Sequence, residues 1–325
     1  MPVKITLIGL GQIGASMGLA LGAHKEYILR VGHDLKPKIE HEALEKGAVD
    51  QAVHNLPAAV REARLVILSL PLDQIKETLG YIAKDLENGT VVLDTAPVKS
   101  EIFRWMKEIL PKECHYVGLA PALNPTYLHS PELGLNAARA DLFHKGVVLI
   151  DAPPGTPEQA VTLASDFVRL LGATPLLADP AESDGIMTAI HLLPQLAGAA
   201  LLNASVDQPG WLERRKLAGR PFASVTGGFA YQDEIGALKL SVMQNRTNNV
   251  YALDVLIAAL TGLRNEIESG DERGVEERLK NAWEGHKRWM QERYAADWRE
   301  ETSPPMDVPS FAERLFGTAI AKPKR

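Results

Sequence analysis

The 325-residue sequence predicts an α/β protein: a doubly wound, mostly parallel sheet over residues 1–178, an all-helical domain over 179–299, and a proline-rich tail over 300–325. Three observations predict it. Short β-branched runs alternate with helical patterns up to Leu177, as βαβ units require. A G-x-G-x-x-G run, Gly9-Leu10-Gly11-Gln12-Ile13-Gly14, falls between the first strand and the first helix. After Asp179-Pro180 the strand pattern stops and long helical periods take over. Together they specify a Rossmann-type sheet followed by a helical domain.

Strands are expected at Val3–Ile8, 28–32, 65–68, Val91–Asp94, 116–118, 147–150 and 174–177. The first, third, fourth and sixth are nearly unbroken apolar runs, the signature of strands covered on both faces. Helices are expected at 13–23, 38–46, 72–86, 98–109 and 157–171 between them. Residues 120–140 carry three prolines and no period, which reads as a cleft-lining loop. Beyond residue 179, helices are expected at 183–206, 235–269 and 271–298, with a Gly/Pro-rich connection at 209–228 and a short helix near 311–316.

Composition narrows the function. Net charge is −6 with a pI near 5.9, and no dense Lys/Arg surface is patterned, so nucleic acid is not an expected partner. The one cysteine, Cys114, excludes an internal disulfide, fits a reducing compartment and reads as a small buried residue. A strand pattern starts at Val3 with no signal-peptide layout. Apolar runs such as 192–202 are short and interrupted by Pro194 and Gln195. A soluble, cytoplasmic protein with no membrane partner is therefore expected.

The glycine run carries the first chemistry. Gly9 permits a tight turn, Gly11 lets backbone approach a diphosphate, and Gly14 permits close helix–strand packing. The helix opening at Gln12 and Ile13 offers free N–H groups and a positive dipole end to the phosphates. Asp34 stands at the end of the second strand, twenty residues after Gly14, where a carboxylate accepts hydrogen bonds from an adenosine ribose. That carboxylate would repel a 2′-phosphate, so NAD is expected over NADP. Ser69, Pro71 and Thr95 end the next two strong strands, at the edge where the cofactor should lie. Lys99, in the first turn of the following helix, reads either as a partner for a substrate carboxylate or nicotinamide ribose, or as a solvated lysine.

Residues 9–14, Asp34, 94–99, 118–121, 184–195 and the helix around Asn245-Arg246 follow in order and spacing the pattern of prephenate and arogenate dehydrogenases, which the sequence resembles from about Val3 to Trp289. The resemblance implies a dinucleotide domain, a helical dimerisation domain and oxidative decarboxylation of prephenate or arogenate. Several chemistry-bearing positions differ. Pro97 stands where the family pattern has serine, and Ala120 stands where it has the histidine that takes the substrate hydroxyl proton. The family's Ser-His-Leu-Pro-His run reads His191-Leu192-Leu193-Pro194-Gln195 here, and Gly227 follows Thr226 where an arginine is expected to bind a carboxylate. Alanine, proline and glycine have no side chain to move a proton or bind an anion.

The residues offer substitutes. Asp184, Thr188, His191 and Gln195 fall on one narrow helical stripe with Asn203 at its margin, which predicts a polar cleft lining rather than a solvent face. His191 is the candidate general base, with Thr188 and Gln195 beside it to orient substrate. On the second long helix, Lys239, Arg246 and Asn249 share a face. Arg246 is the candidate partner for a substrate carboxylate, with Asn249 nearby. His115, His129 and His144 read as incidental, and no residues have metal-ligand spacing.

These readings predict a homodimeric NAD-dependent dehydrogenase acting on a small carboxylic acid. Two alternatives stand beside it: a β-hydroxyacid-type dehydrogenase with a different acid, or a dinucleotide sensor without turnover.

Overall fold

The structure, a computed structural model, describes residues 2–206, 208–228 and 235–298; the short helix expected near 311–316 and the proline-rich tail lie outside them. The chain divides into two compact units. Among the described residues, one comprises 2–183 together with 288–298, and the other lies within Asp184–Lys287. Most of the expected helical domain is thus a unit of its own. The end of the last helix, where the Arg293 guanidinium donates to the Leu123 carbonyl, groups with the first unit.

The first unit is built on β1 (Val3–Ile8), β2 (Ile28–His33), β3 (Gln51–Ala52), β4 (Ala63–Leu68), β5 (Val91–Asp94), β6 (His115–Pro121), β7 (Val147–Asp151) and β8 (Thr174–Ala178). They form one sheet in the order β3-β2-β1-β4-β5-β6-β7-β8. All neighbours run parallel except β6 and β7, whose antiparallel register pairs Gly118 with Asp151. All seven expected strands are present, and the two-residue β3 is added. Every residue of β5 is buried, as is the carboxyl end of β1, β4 and β7, which is why those runs lack the polar alternation of a half-exposed strand.

The flanking helices are α1 (Gln12–Ala20), α2 (Pro37–Glu45), α3 (Leu56–Val60), α4 (Leu72–Ile82), α5 (Ser100–Ile109) and α6 (Glu158–Leu170). The main core lies between α1, α6 and the sheet, with Ile5, Leu7, Met17, Leu93, Phe143 and Phe167 almost fully buried. The short α3, capped by Asn55 accepting from the Ala58 amide, has no apolar period long enough to be read from sequence. The region expected as a loop at 120–140 contributes the end of β6 and two 3-10 turns, Pro125–Tyr127 and Gly134–Ala137.

The second unit has helices and no strand among its described residues. α7 (Pro180–Met187), a π turn (Thr188–Leu192) and α8 (Leu193–Val206) run as one helix of 27 residues. Proline lacks an N–H and its ring crowds the carbonyl four residues back, here Ile190, so the helix widens ahead of Pro194 instead of stopping. The expectation that Pro194 and Gln195 interrupt this segment is therefore corrected: by length and composition alone the helix could cross a bilayer, and 22% of its most apolar stretch is buried. The Gly/Pro-rich connection holds two short helices, α9 (Trp211–Leu217) and α10 (Arg220–Thr226). The single helix expected at 235–269 is two, α11 (Ile235–Gln244) and α12 (Arg246–Glu268), broken at Asn245. α13 (Glu272–Ala295) completes the set.

Candidate cofactor and active site

The order of strands fixes where a ligand can sit. From β1 the chain winds outward to β2 and β3, then returns to β4 on the other side of β1. At such a switch point the loops leaving the two strands diverge and open a crevice at the carboxyl edge. The ladders continue one residue past the strand ends: the Ser69 amide donates to the Ile8 carbonyl (2.8 Å), Gly9 to His33 (2.9 Å) and Thr95 to Leu68 (3.1 Å). Gly9, Ser69 and Thr95 are thereby set side by side at that edge, and the Thr95 hydroxyl lies 3.5 Å from the Ser69 hydroxyl. Pro71 caps the start of α4 on the same loop.

The glycines differ in what they do. Gly9 has φ +91°, and a Cβ there would stand 2.2 Å from the Ser69 carbonyl oxygen; at Gly14 it would stand 2.0 Å from the Gly9 carbonyl oxygen. Both are packing positions. At Gly11 a Cβ would meet nothing within 4 Å, so its lack of a side chain keeps a space open above the start of α1. Gly11 is also the N-cap of that helix, no side chain caps it, and no acidic residue occupies its first turn, which includes Gln12 and Ile13. Free amides facing an open cradle match the requirement of a diphosphate.

Asp34 completes the pattern. Its Oδ2 accepts from the Leu10 amide (3.0 Å) and its Oδ1 from the Lys36 amide (2.9 Å). The half-buried carboxylate has about four lone-pair directions, so two remain for the hydroxyls of a ribose. The residues present fit a nicotinamide adenine dinucleotide.

Lys99 is placed differently from either expectation. Its ammonium is fully buried, 2.8 Å from Asp94 Oδ1 and 2.7 Å from the Leu119 carbonyl. It is neither a solvated first-turn lysine nor an open cation. The Tyr116 hydroxyl donates to Asp94 Oδ2 at 2.7 Å, and a Cβ on Gly118 would meet Lys99, Tyr116 and Asp151 at 2.9–3.1 Å. The Ser183 hydroxyl donates to the buried Asp151. The sequence pattern includes Asp94 within 94–99 but assigns it no role, and it does not single out Tyr116, Asp151 or Ser183. The charged end of an otherwise apolar strand, Val91–Asp94, was the available signal.

In the helical unit the expected polar stripe turns inward at three of its five positions. Asp184, Thr188 and Gln195 are buried, whereas His191 and Asn203 are exposed. A π turn, Thr188–Leu192, contains His191, so offsets counted at 3.6 per turn do not hold across it. The Thr188 hydroxyl donates to the Asp184 carbonyl and accepts from Asn245 Nδ2, both at 2.7 Å; the Gln195 amide donates to the His191 carbonyl at 2.7 Å. His191 thus lies within a π turn tied on both sides. Its ring is reached by solvent yet crowded by protein, and desolvation lowers its pKa below the ordinary imidazole value.

Arg246 and Asn249 stand three residues apart in α12 but differ in exposure, and Lys239 lies in another helix, α11. The break at Asn245 separates Lys239 from the other two, Asn249 is 1% exposed, and Arg246 is exposed, with no ion pair among the described residues. The Asn249 Nδ2 donates to the Asn245 carbonyl at 2.8 Å, while its Oδ1 is buried without a hydrogen-bond partner. Ala120, in the histidine position of the resembled pattern, is buried in β6. Cys114 is buried and free, and burial pushes its thiol pKa up, away from nucleophilic use.

Residues 17–176 match the family described as prephenate dehydrogenase, nucleotide-binding domain. The chain is 26% identical over 200 residues to a prephenate dehydrogenase of Bacillus subtilis, matching 61% of this chain and 53% of that protein; the match thus spans about half of the relative's length. It is 24% identical over 269 residues to a cyclohexadienyl dehydrogenase of Zymomonas mobilis, covering 82% and 89% of the two chains. Among solved structures, the prephenate dehydrogenase of A. aeolicus in complex with hydroxyphenyl propionate and NAD+ superposes with a TM-score of 0.77 at 18% identity, covering 89% of this chain and 98% of that one. That likeness establishes a shared fold.

Proposed function

Through residues 17–176 the chain belongs to the prephenate dehydrogenase family, and on that premise we propose that it is an NAD-dependent oxidoreductase that oxidises a small hydroxylated carboxylic acid of the prephenate or arogenate type. The observation that carries the cofactor half is the open space at Gly11 above an uncapped helix start, with Asp34 beside it. When bound, the nicotinamide accepts a hydride at its C4. The chain's own residues do the rest. The amides of Gln12 and Ile13 hold the diphosphate, Asp34 holds the adenosine ribose, and Ser69, Pro71 and Thr95 line the loops toward the nicotinamide. A 2′-phosphate beside Asp34 would be repelled, so NAD is preferred to NADP.

Ala120 cannot take the substrate's hydroxyl proton. His191 is the replacement: a desolvated imidazole is neutral at physiological pH and able to accept it. Thr188, bonded to the Asp184 carbonyl and Asn245, and Gln195, bonded to the His191 carbonyl, act as positioning residues for the turn that carries His191. Arg246, exposed and outside any ion pair among the described residues, is the cation for a substrate carboxylate, with Asn249 fixing the break that presents it. Lys99 acts from inside the sheet by holding Asp94 and the end of β6, not by touching substrate.

The protein works as a homodimer in the cytoplasm. Ile190, Leu201, Val255, Ile257, Leu260 and Trp283 of the helical unit are exposed, more apolar surface than a monomer ordinarily leaves to water. A second copy would cover it and remove any call for a bilayer.

The test is NADH formation with prephenate, arogenate and a panel of other hydroxy acids. Turnover of prephenate or arogenate supports this reading. Turnover of another acid alone selects a second one, favoured by Ala120 and Gly227 at positions where the resembled pattern has histidine and arginine. Tight NAD binding with no turnover would overturn both.

A further inference from the structure

We propose that His33, Glu40 and His54 form a binding site for a divalent transition-metal ion of the zinc type. The sequence shows no metal-ligand spacing here, because these residues are 7 and 14 apart on three elements. The fold brings them together. His33 is the last residue of β2, Glu40 lies in the first turn of α2, and His54 follows β3, which pairs with β2. One ligand atom from each lies within 4.8 Å of the others.

The donor atoms are spaced for an ion. Glu40 Oε1 is 3.3 Å from His33 Nδ1 and 3.2 Å from His54 Nδ1; Oε2 is 3.1 Å from His54 Nδ1. A tetrahedral ion with bonds of about 2.0–2.1 Å separates its ligand atoms by about 3.3 Å. Two imidazoles and one carboxylate are a zinc-type donor set, with one position left open. At 7% side-chain exposure Glu40 is nearly out of water, His33 at 11% is little more exposed, and His54 at 60% gives an ion a way in.

Charge supports the same assignment. A buried carboxylate needs a cation or a full set of donors. Glu40 Oε1 accepts from the Asp34 amide (3.0 Å), and the other groups facing it are the two imidazoles. Without metal, a proton on His33 Nδ1 is shared between Glu40 and the Val53 carbonyl, 3.2 Å away. With metal, the ion takes that place and the proton moves to Nε2. The site stands on its own donors, whether or not Asp34 holds a ribose.

The experiment uses untagged full-length protein stripped with a chelator and titrated with Zn2+ by calorimetry, with Co2+ absorption as a report of tetrahedral coordination. One saturable ion per chain is expected. His54→Ala, on an exposed side chain that leaves the fold intact, should weaken it by at least about tenfold, as should Glu40→Gln. His41→Ala, which removes the neighbouring exposed His41–Glu45 pair, should leave it unchanged. Absence of saturable binding, unchanged affinity in His54→Ala, or equal loss in His41→Ala would each overturn the site.

Discussion

Lys99 Nζ lies 2.8 Å from Asp94 Oδ1, and solvent reaches neither side chain. Asp94 also accepts from the Ala96 amide and the Tyr116 hydroxyl, so the carboxylate is fully engaged at the end of β5. Removing the lysine leaves a charge with no counter-ion in the sheet. Lys99→Met should therefore lower stability by about 3–5 kcal/mol, read as a shifted urea midpoint. The double change Lys99→Met with Asp94→Asn should recover part of that loss. An unchanged midpoint for Lys99→Met would show that the pair is not holding this end of the sheet.

Gly11 and Gly14 separate cofactor binding from packing. An alanine methyl at Gly11 enters open space, at a backbone φ of −73° that any residue adopts. Gly11→Ala should keep the unfolding midpoint and raise the NAD dissociation constant by about tenfold or more, about 1.4 kcal/mol. Gly14→Ala drives its methyl into the Gly9 carbonyl and should lose stability as well. Equal NAD affinity for Gly11→Ala and the parent would place the diphosphate elsewhere.

Asp34 should decide between the two dinucleotides. Asp34→Ser withdraws the charge that repels a 2′-phosphate while Lys36 remains two residues away. The ratio of kcat/KM for NAD over NADP should fall by about tenfold or more, mainly through a weaker NAD. Because Asp34 also accepts from the Leu10 and Lys36 amides, a thermal melt must accompany the kinetics. A ratio unmoved in a folded variant would remove Asp34 from the ribose site.

What could be read from the sequence was whatever local spacing controls. The nearly unbroken apolar runs of β1, β4, β5 and β7 marked strands covered on both faces, and three glycines within the six residues Gly9–Gly14 marked the turn into α1. Three features were illegible, one because the helical period changes and two because they depend on contacts between distant segments. The π turn at Thr188–Leu192 changes the period that the eye assumes, so His191 leaves the stripe it was assigned to. The break at Asn245 comes from tertiary hydrogen bonds, Nδ2 to the Asp184 carbonyl and the Thr188 hydroxyl, that no local pattern announces. The His33–Glu40–His54 grouping depends on β3 pairing with β2, a contact between distant segments.

His191 supplies the sharpest pH test. Desolvation disfavours its protonated form, so its pKa lies below the ordinary 6.5. As the proposed base His191 acts through its neutral ring, present above that lowered pKa and lost as pH falls through it. The acid limb of kcat/KM should therefore fall below pH 6.5, leaving activity flat across neutral pH. His191→Gln should cut kcat by about a hundredfold or more and abolish that limb, the scale of a lost general base. A purely structural role would lower stability without moving the limb. A loss of less than about threefold with the limb intact would take His191 out of proton transfer.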